Sequence, residues 1–308
     1  MNKKVFLLSE NPLARNVAPL VRALSMKKVP AQSVKLGDWF PATTNSVIHC
    51  FGFKAGRAAR RADCARVITI SEEPASNFIA KMRQKSAMKG AKSVATSKYI
   101  AGLWGIKSVV FPGLNLDIFN PEAIPARRQT DMLGKYNIPH DKKMIVCSSP
   151  ALPSLPIIIE AVQLLDREDF IIAMLGTASK LSANKMLRQA EALGASGKII
   201  FIGEETDIPS LMKSAFATIS VLGHEHVAAS IAVGTPTIAV NTEFASELAV
   251  NYLVAEDDPG AMAEAIDSAL DLDEVEIEKI TTRNARYAKE YLSINKTADE
   301  YIEIYEKL

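Results

Sequence analysis

Short apolar runs rich in β-branched residues alternate with helical stretches along nearly all of this chain, and few folds accept such a pattern. In the N-terminal half the runs are VFLLS (5–9), SVIHCF (46–51), RVITIS (66–71), KSVATS (92–97) and SVVFPG (108–113). Helical patterns fall between them at 13–27, 54–64, 74–90 and 98–105. The C-terminal half repeats the alternation with MIVC (144–147), FIIAML (170–175), KIIFIG (198–203), ATISV (217–221), PTIAV (236–240) and YLVA (252–255). Its helices are expected near 154–166, 182–194, 208–215, 225–233, 243–249 and 259–270. Strands that alternate with helices form parallel sheets with helices on both faces. The expectation is an α/β protein of two Rossmann-like doubly wound domains facing a cleft. Its boundaries are 1–113 for the first domain, 114–125 for a proline-bearing linker and 126–290 for the second. The remaining 291–308 would be a helix returning to the first domain, with a break at Ser293–Asn295.

The composition is that of a folded protein, 48% hydrophobic and 23% charged, without a biased tract. No run approaches a membrane-spanning length, and the opening MNKKVFLLSENP is too short in apolar residues for a signal peptide. Cys50, Cys64 and Cys147 are widely spaced without a metal-ligand rhythm, which suits a reducing, cytoplasmic setting. The net charge of +1 hides an asymmetry. Residues 1–107 carry 19 Lys and Arg against 5 Asp and Glu, whereas the rest carries 17 against 30. The basic half should prefer a polyanion or an anionic membrane surface.

The stretch from Ala215 to Val240 is the most suggestive chemically. It reads as a buried strand (Ala217–Val221), a polar turn with His224, Glu225 and His226, and a short helix of small residues. Gly234 and Pro236 supply the stop signal. A helix that begins just above a strand end presents free amides and its positive dipole end to an anion, here a diphosphate. The same pattern also serves ordinary helix packing in a doubly wound domain. His224 and His226 face apart on a helix and no cysteine lies near, so no metal site is expected.

The ordered series of motifs resembles the retaining, family-4-type glycosyltransferases of the GT-B fold, as a short and divergent member. SKYIAGLWGIKSVVFPGLNLDIFNP (97–121) is similar to that family's crossing into the second domain, and DMLGKYNIPHDKKMIVC (131–147) to the start of that domain. FIIAMLGTAS (170–179) resembles its strand ending in a glycine turn, and KIIFIGEETDIPSLMKSA (198–215) its next strand and helix. SIAVGTPTIAV (230–240), Glu247 and YLVAEDDPGAMAEAI (252–266) resemble its closing run. The resemblance implies a nucleotide-diphosphate-sugar donor held on the second domain. Gly176 and Thr177 would approach it, Gly203 and Glu204 would line the base through backbone groups, and residues 223–235, with His226, Ser230 and Thr235, would hold ribose and diphosphate. Glu247 belongs to the same donor set, and Glu225 is the candidate catalytic residue. It implies sugar transfer to a glycolipid or polysaccharide acceptor, with no cofactor and no metal.

The sequence departs from that family at several positions. The second of its two glutamates corresponds to Ala229, and Glu225 lies one helical turn upstream on the same face. Where the family has an Arg and a Lys, this chain has SSPALPSLP (148–156); Lys180, shortly after the Gly176 turn, is the candidate substitute by its place beside that turn. Ser71 stands where the family often has a histidine. These departures keep two other readings open: a GT-B protein that has lost catalysis and acts as a binding subunit, and a nucleotide-sugar epimerase. On the acceptor or membrane side, the candidates are His49, Ser71 and the basic helical face of Lys54, Arg57, Arg60 and Arg61. For His49, which ends an apolar strand, a satisfied core histidine is the reading favoured over a role in the cleft. The segment FIAKMRQKSAMKGAK (78–92) adds five cations interleaved with Phe78, Ile79, Met82 and Met88, a pattern suited to an anionic bilayer or to a solvated helix face. Nucleic acid is not expected, since no RNA-binding module or stacking pattern is present.

Overall fold

The computed structural model describes residues 3–11, 16–148, 155–176, 188, 190–192, 194–195, 197–221, 224–240, 242, 245–255 and 258–308; of 155, 224 and 225 it describes the backbone. The chain forms two units, Met1–Asn115 with Glu290–Leu308, and Leu116–Lys289.

In unit 1 the strands are β1 (Lys4–Ser9), β2 (Ala31–Lys35), β3 (Ser46–Phe51), β4 (Ala65–Ile70) and β5 (Lys92–Ala95), all parallel in the order β2-β1-β3-β4-β5. The helices are α1 (Ala18–Met26), α2 (Gly52–Ala58), α3 (Phe78–Met88) and α4 (Lys98–Trp104). Period-two alternation sends successive side chains of one strand to opposite faces. Val5, Leu7, Val47, Val67 and Val94 accordingly pack on one side with Leu20 and Leu24 of α1. Phe6, Leu8, Ile48, Ile68 and Ile70 pack on the other with Phe53, Ala87 and Ile100.

The first core is completed from the far end of the chain. Ile294, Ala298, Tyr301 and Tyr305 of the last helix are buried in it. Ile294 N–H donates to Leu114 O (2.9 Å), and the Thr297 hydroxyl donates to Phe111 O (2.9 Å). A Cβ on Gly113 would sit 2.5 Å from the Ile294 Cα, so only glycine lets this segment approach the helix. Ser293 caps the helix through Asn295 N–H, which explains the break expected there.

Unit 2 carries β6 (Lys143–Ser148), β7 (Phe170–Leu175), β8 (Ile199–Gly203), β9 (Ala217–Ser220), β10 (Thr237–Val240) and β11 (Tyr252–Val254). They form one parallel sheet in the order β11-β10-β9-β6-β7-β8. Its helices are α5 (Ala126–Lys135), α6 (Leu155–Leu164), α7 (Ile208–Ser214), α8 (His224–Ala232), α9 (Pro259–Leu270) and α10 (Glu274–Tyr291), and the last helix of the chain is α11 (Ile294–Glu306). Ile145, Cys147, Ile172, Met174 and Ile219 face α6 and α9. Met144, Val146, Ile171, Ala173 and Leu175 face α5, α7 and α8. The order of this sheet is that of the classical dinucleotide-binding domain, and unit 1 has the flavodoxin-like order.

Local expectations are corrected at several places. SVVFPG (108–113) is no strand: it contributes a single bridge, Ala95 with Val109. The edge strand β2 and the helix α5 were not foreseen. The basic helix of residues 74–90 begins only at Phe78, where the Asn77 side chain accepts from Ala80 N–H and closes the first turn.

Candidate functional site

In an open parallel sheet, ligands bind beyond the carboxyl ends of the strands, where the strand order reverses. In unit 2 that point lies between β6 and β9. Their last residues, Ser148 and Ser220, are paired in register and buried. The Ser148 hydroxyl turns back to Ile219 O (3.4 Å). After β6 the chain passes to α6 on one face; after β9 it passes to α8 on the other. The two connections thus lead to opposite faces of the sheet, the arrangement at which open parallel sheets form a crevice.

Helix α8 starts at His224, four residues after β9 ends, so its N-terminal turn and the positive end of its dipole belong to this edge of the sheet. Its far end is fixed tightly. Gly234 has φ +79°, and a Cβ there would lie 2.5 Å from Thr281 Cγ2. The Thr281 hydroxyl donates to Gly234 O (2.9 Å). Glycine is therefore required twice over, for its backbone angle and for the contact with α10.

The next strand ends on the same edge meet through Gly176 N–H, which donates to Gly203 O (2.9 Å) and closes β7 against β8. Glu204 is exposed just beyond. Its neighbour Glu205, which sequence reasoning did not single out, is buried and accepts from Lys135 Nζ (2.6 Å), the Tyr136 hydroxyl (2.5 Å), Thr206 N–H (2.7 Å) and Asp207 N–H (2.9 Å). Burial alone would raise its pKa, but these donors outweigh it and hold the carboxyl at about 2. Glu205 thus clamps the loop after β8 to the end of α5. The folded pKa lies below the ordinary 4.5, so the clamp is at full strength above 4.5 and is lost as pH falls through 2. Glu205→Gln should lower stability by about 1–2 kcal/mol near neutrality. Melting temperatures measured against pH should show the gap from the wild type closing as pH drops from 4.5 towards 2; a constant gap would remove ionisation from the account.

Other sequence-derived candidates differ in where they lie. Thr177 and Lys180 lie outside the described residues, and so does the Glu225 side chain, although its backbone is in the first turn of α8. His226 is half-buried in the same turn, and Glu247 is half-buried in the 3-10 turn Ala245–Glu247, its carbonyl accepting from the Tyr287 hydroxyl (3.2 Å).

Ser230 and Thr235 require correction as donor-binding side chains. Both are buried, with the Ser230 hydroxyl donating to His226 O (2.9 Å) and the Thr235 hydroxyl to Met212 O (2.8 Å). Their hydroxyls tie α8 to itself and to α7.

In unit 1, Lys54, Arg57, Arg60, Arg61 and Ser71 are exposed. Lys54 pairs with Glu10 (2.8 Å), and Arg60 donates to the Ser86 hydroxyl (2.9 Å). His49 is corrected: it is fully buried in the sheet rather than turned to an acceptor or a membrane. One ring nitrogen meets the Tyr305 hydroxyl (2.6 Å) and the other the Thr69 hydroxyl (2.7 Å), which in turn meets the Tyr301 hydroxyl (2.7 Å). Burial pushes its pKa down to about 3, so it is a neutral core group.

Among the described residues there is no cluster of His, Cys, Asp or Glu suited to a metal ion, and no helix is long and apolar enough to cross a membrane.

Comparison with known proteins agrees with this architecture. Residues 129–289, more than half of the 308, match the model of the family described as glycosyl transferases group 1. No curated protein sequence matches significantly. Among solved structures, a glycosyltransferase from Rickettsia africae is similar with TM-score 0.80 and 18% identity, covering 100% of this chain and 99% of that one. Anabaena HepE in complex with UDP and glucose gives TM-score 0.81 at 14% identity, covering 100% of both chains. WaaG, a glycosyltransferase involved in lipopolysaccharide biosynthesis, gives TM-score 0.69 at 14% identity over 96% of this chain and 98% of that one. At such identities the likeness establishes the fold, two parallel-sheet α/β domains of the GT-B type. The family match adds the lineage: the chain belongs to the glycosyl transferases group 1.

Proposed function

We propose that the protein transfers a sugar from a nucleotide-diphosphate-sugar to a glycolipid or polysaccharide acceptor, with retention of configuration and without a metal. The observation that carries this reading is the β6/β9 reversal in unit 2 with the start of α8 beside it. A diphosphate seated there meets the first turn of the helix and the positive end of its dipole, which stabilise the charge that grows on the leaving group. Gly176 and Gly203, at the neighbouring strand ends, present backbone without side chains to the donor. Glu225 and His226, in the first turn, are assigned to the donor's hydroxyl groups, and Lys180 to the diphosphate.

In the reaction the bond from the anomeric carbon to the diphosphate oxygen breaks, and a bond to the acceptor oxygen forms on the same face. The acceptor proton passes to the departing phosphate oxygen. Unit 1 is assigned the acceptor. The structurally similar HepE has been crystallised with UDP-glucose, which makes uridine nucleotides the first to try.

The test is transfer from a panel of nucleotide-sugars to lipid-linked and polysaccharide acceptors, with the product anomer read by proton NMR in the presence of a chelator. Retained configuration is expected; an inverted product, or a need for metal, would refute the mechanism. The absence of any Lys or Arg from SSPALPSLP favours one competing reading, a binding subunit without turnover. That protein would bind nucleotide and transfer nothing.

A further inference from the structure

Helix α3 of unit 1 turns its apolar side chains outward. Phe78, Ile79 and Met82 are 77%, 66% and 53% exposed. Its inward face is made instead of Ala80, Gln84, Ala87 and Met88, of which only Ala87 is fully buried. Three large apolar side chains in adjacent positions of one helix face are costly to leave in water, and such patches mark contact surfaces.

The surroundings of the patch are cationic. Residues 78–92 carry Lys81, Arg83, Lys85, Lys89 and Lys92 and no acidic residue. Lys81 and Lys85 share the stripe of Phe78 and Met82 at helical spacing. Among the described residues, Lys81, Arg83, Lys85 and Lys89 pair with no acidic side chain, unlike Lys54 with its Glu10. Arg60, on the turn that follows α2, is tied to Ser86 of the same helix and adds its charge alongside. Even with the acidic α11 folded into it, unit 1 holds 21 Lys and Arg against 10 Asp and Glu.

We propose that α3 is a membrane-docking helix that inserts Phe78, Ile79 and Met82 into the interface of an anionic bilayer while Lys81, Arg83, Lys85 and Lys89 contact lipid phosphates. The charge complementarity selects an anionic surface, and the interleaved apolar residues select a bilayer over a nucleic acid. Phosphates alone would need the cations but leave Phe78 and Ile79 in water; a bilayer takes up both. The inference deepens the proposed function by placing the protein where a lipid-linked acceptor is found, and its test uses neither donor nor acceptor.

Full-length protein is sedimented with vesicles of phosphatidylcholine alone or mixed with phosphatidylglycerol. Binding to the mixed vesicles is expected to be much stronger and to weaken with salt. Replacing the apolar set (Phe78→Ser, Ile79→Ser, Met82→Ser) should weaken it by about tenfold or more. The pair Lys81→Glu and Lys85→Glu should weaken it by more than about tenfold at low salt and much less at high salt. These side chains are exposed, so the melting temperature should match the wild type in both variants. Phe78→Trp should give emission that shifts to the blue on adding anionic vesicles. The proposal is overturned if wild type ignores anionic vesicles, if the serine variant binds as wild type does, if the tryptophan emission stays put, or if only RNA is bound. None of these outcomes bears on sugar transfer to a soluble acceptor, and a failure of transfer leaves the vesicle result intact.

Discussion

Deleting residues 294–308 is expected to unfold unit 1 while unit 2 retains a cooperative melting transition. The deleted helix contributes Ile294, Ala298, Tyr301 and Tyr305 to the core beneath β1 and β3. Truncating one large buried aromatic costs about 3–5 kcal/mol, and a whole domain is stable by only about 5–15 kcal/mol. Two such tyrosines with two aliphatic neighbours therefore exceed what unit 1 can lose. The deletion also strips His49 and Thr69 of hydroxyl partners in the middle of the sheet, where unsatisfied groups are destabilising in their own right. Hydrogen exchange should show the amides of β1, β3 and β4 unprotected and those of β6 and β7 protected. Gly113→Val makes the same test in a full-length chain, because its side chain would collide with the backbone of Ile294. A truncated protein with a native exchange pattern in unit 1 would show that the helix is an appendage.

Glu225→Gln is expected to reduce kcat/KM by about a hundredfold, the size of one lost hydrogen bond to a charged acceptor. Glu225 stands in the first turn of α8, where a carboxylate also favours the helix through its dipole. Gln keeps the shape and loses the charge, so folding should change by only about 0.3–1 kcal/mol. The control is Glu204→Gln, an exposed position assigned to the donor through its backbone, which should leave turnover nearly unchanged. Steady-state rates of nucleotide release measure both. Equal rates for Glu225→Gln and wild type would take that residue out of the reaction.

How much of this was legible in the sequence follows burial. Strands β6, β7, β9 and β10 are enclosed on both faces, so they appear as continuous apolar runs and were placed to within a residue or two. Strand β2, AQSVK, is a sheet edge that buries only Val34, and so carries no apolar signal. Helix α5, ARRQTDMLGK, buries only Met132 and was passed over for the same reason. SVVFPG has the composition of a strand but only one partner residue, because Val109 meets Ala95, the last residue of β5, after which Ser97 caps α4.

The site was less legible than the fold. Backbone positions such as Gly176 and Gly203 follow from where strands end. Side-chain roles depend on which way a hydroxyl or ring points. Ser230 and Thr235 lie in the expected segment but point into the protein, and His49 sits on a core strand whose polar partners come from residues 301 and 305. Contacts across more than two hundred residues leave no local trace. Glu205 was hidden differently: in GEETD nothing distinguishes it from its exposed neighbour Glu204 until Lys135 and Tyr136 are brought to it.

The central claim is that unit 2 holds a nucleotide diphosphate at the β6/β9 reversal. Thermal denaturation in the presence of UDP, GDP, ADP, CMP and their sugar conjugates, with a chelator present, tests it most directly. A ligand bound only by the native state adds about 2.7 kcal/mol at a hundredfold excess over Kd. The account predicts that one nucleotide family raises the melting temperature in a saturable manner without metal. A well-folded protein whose melting temperature none of these compounds moves would contradict it.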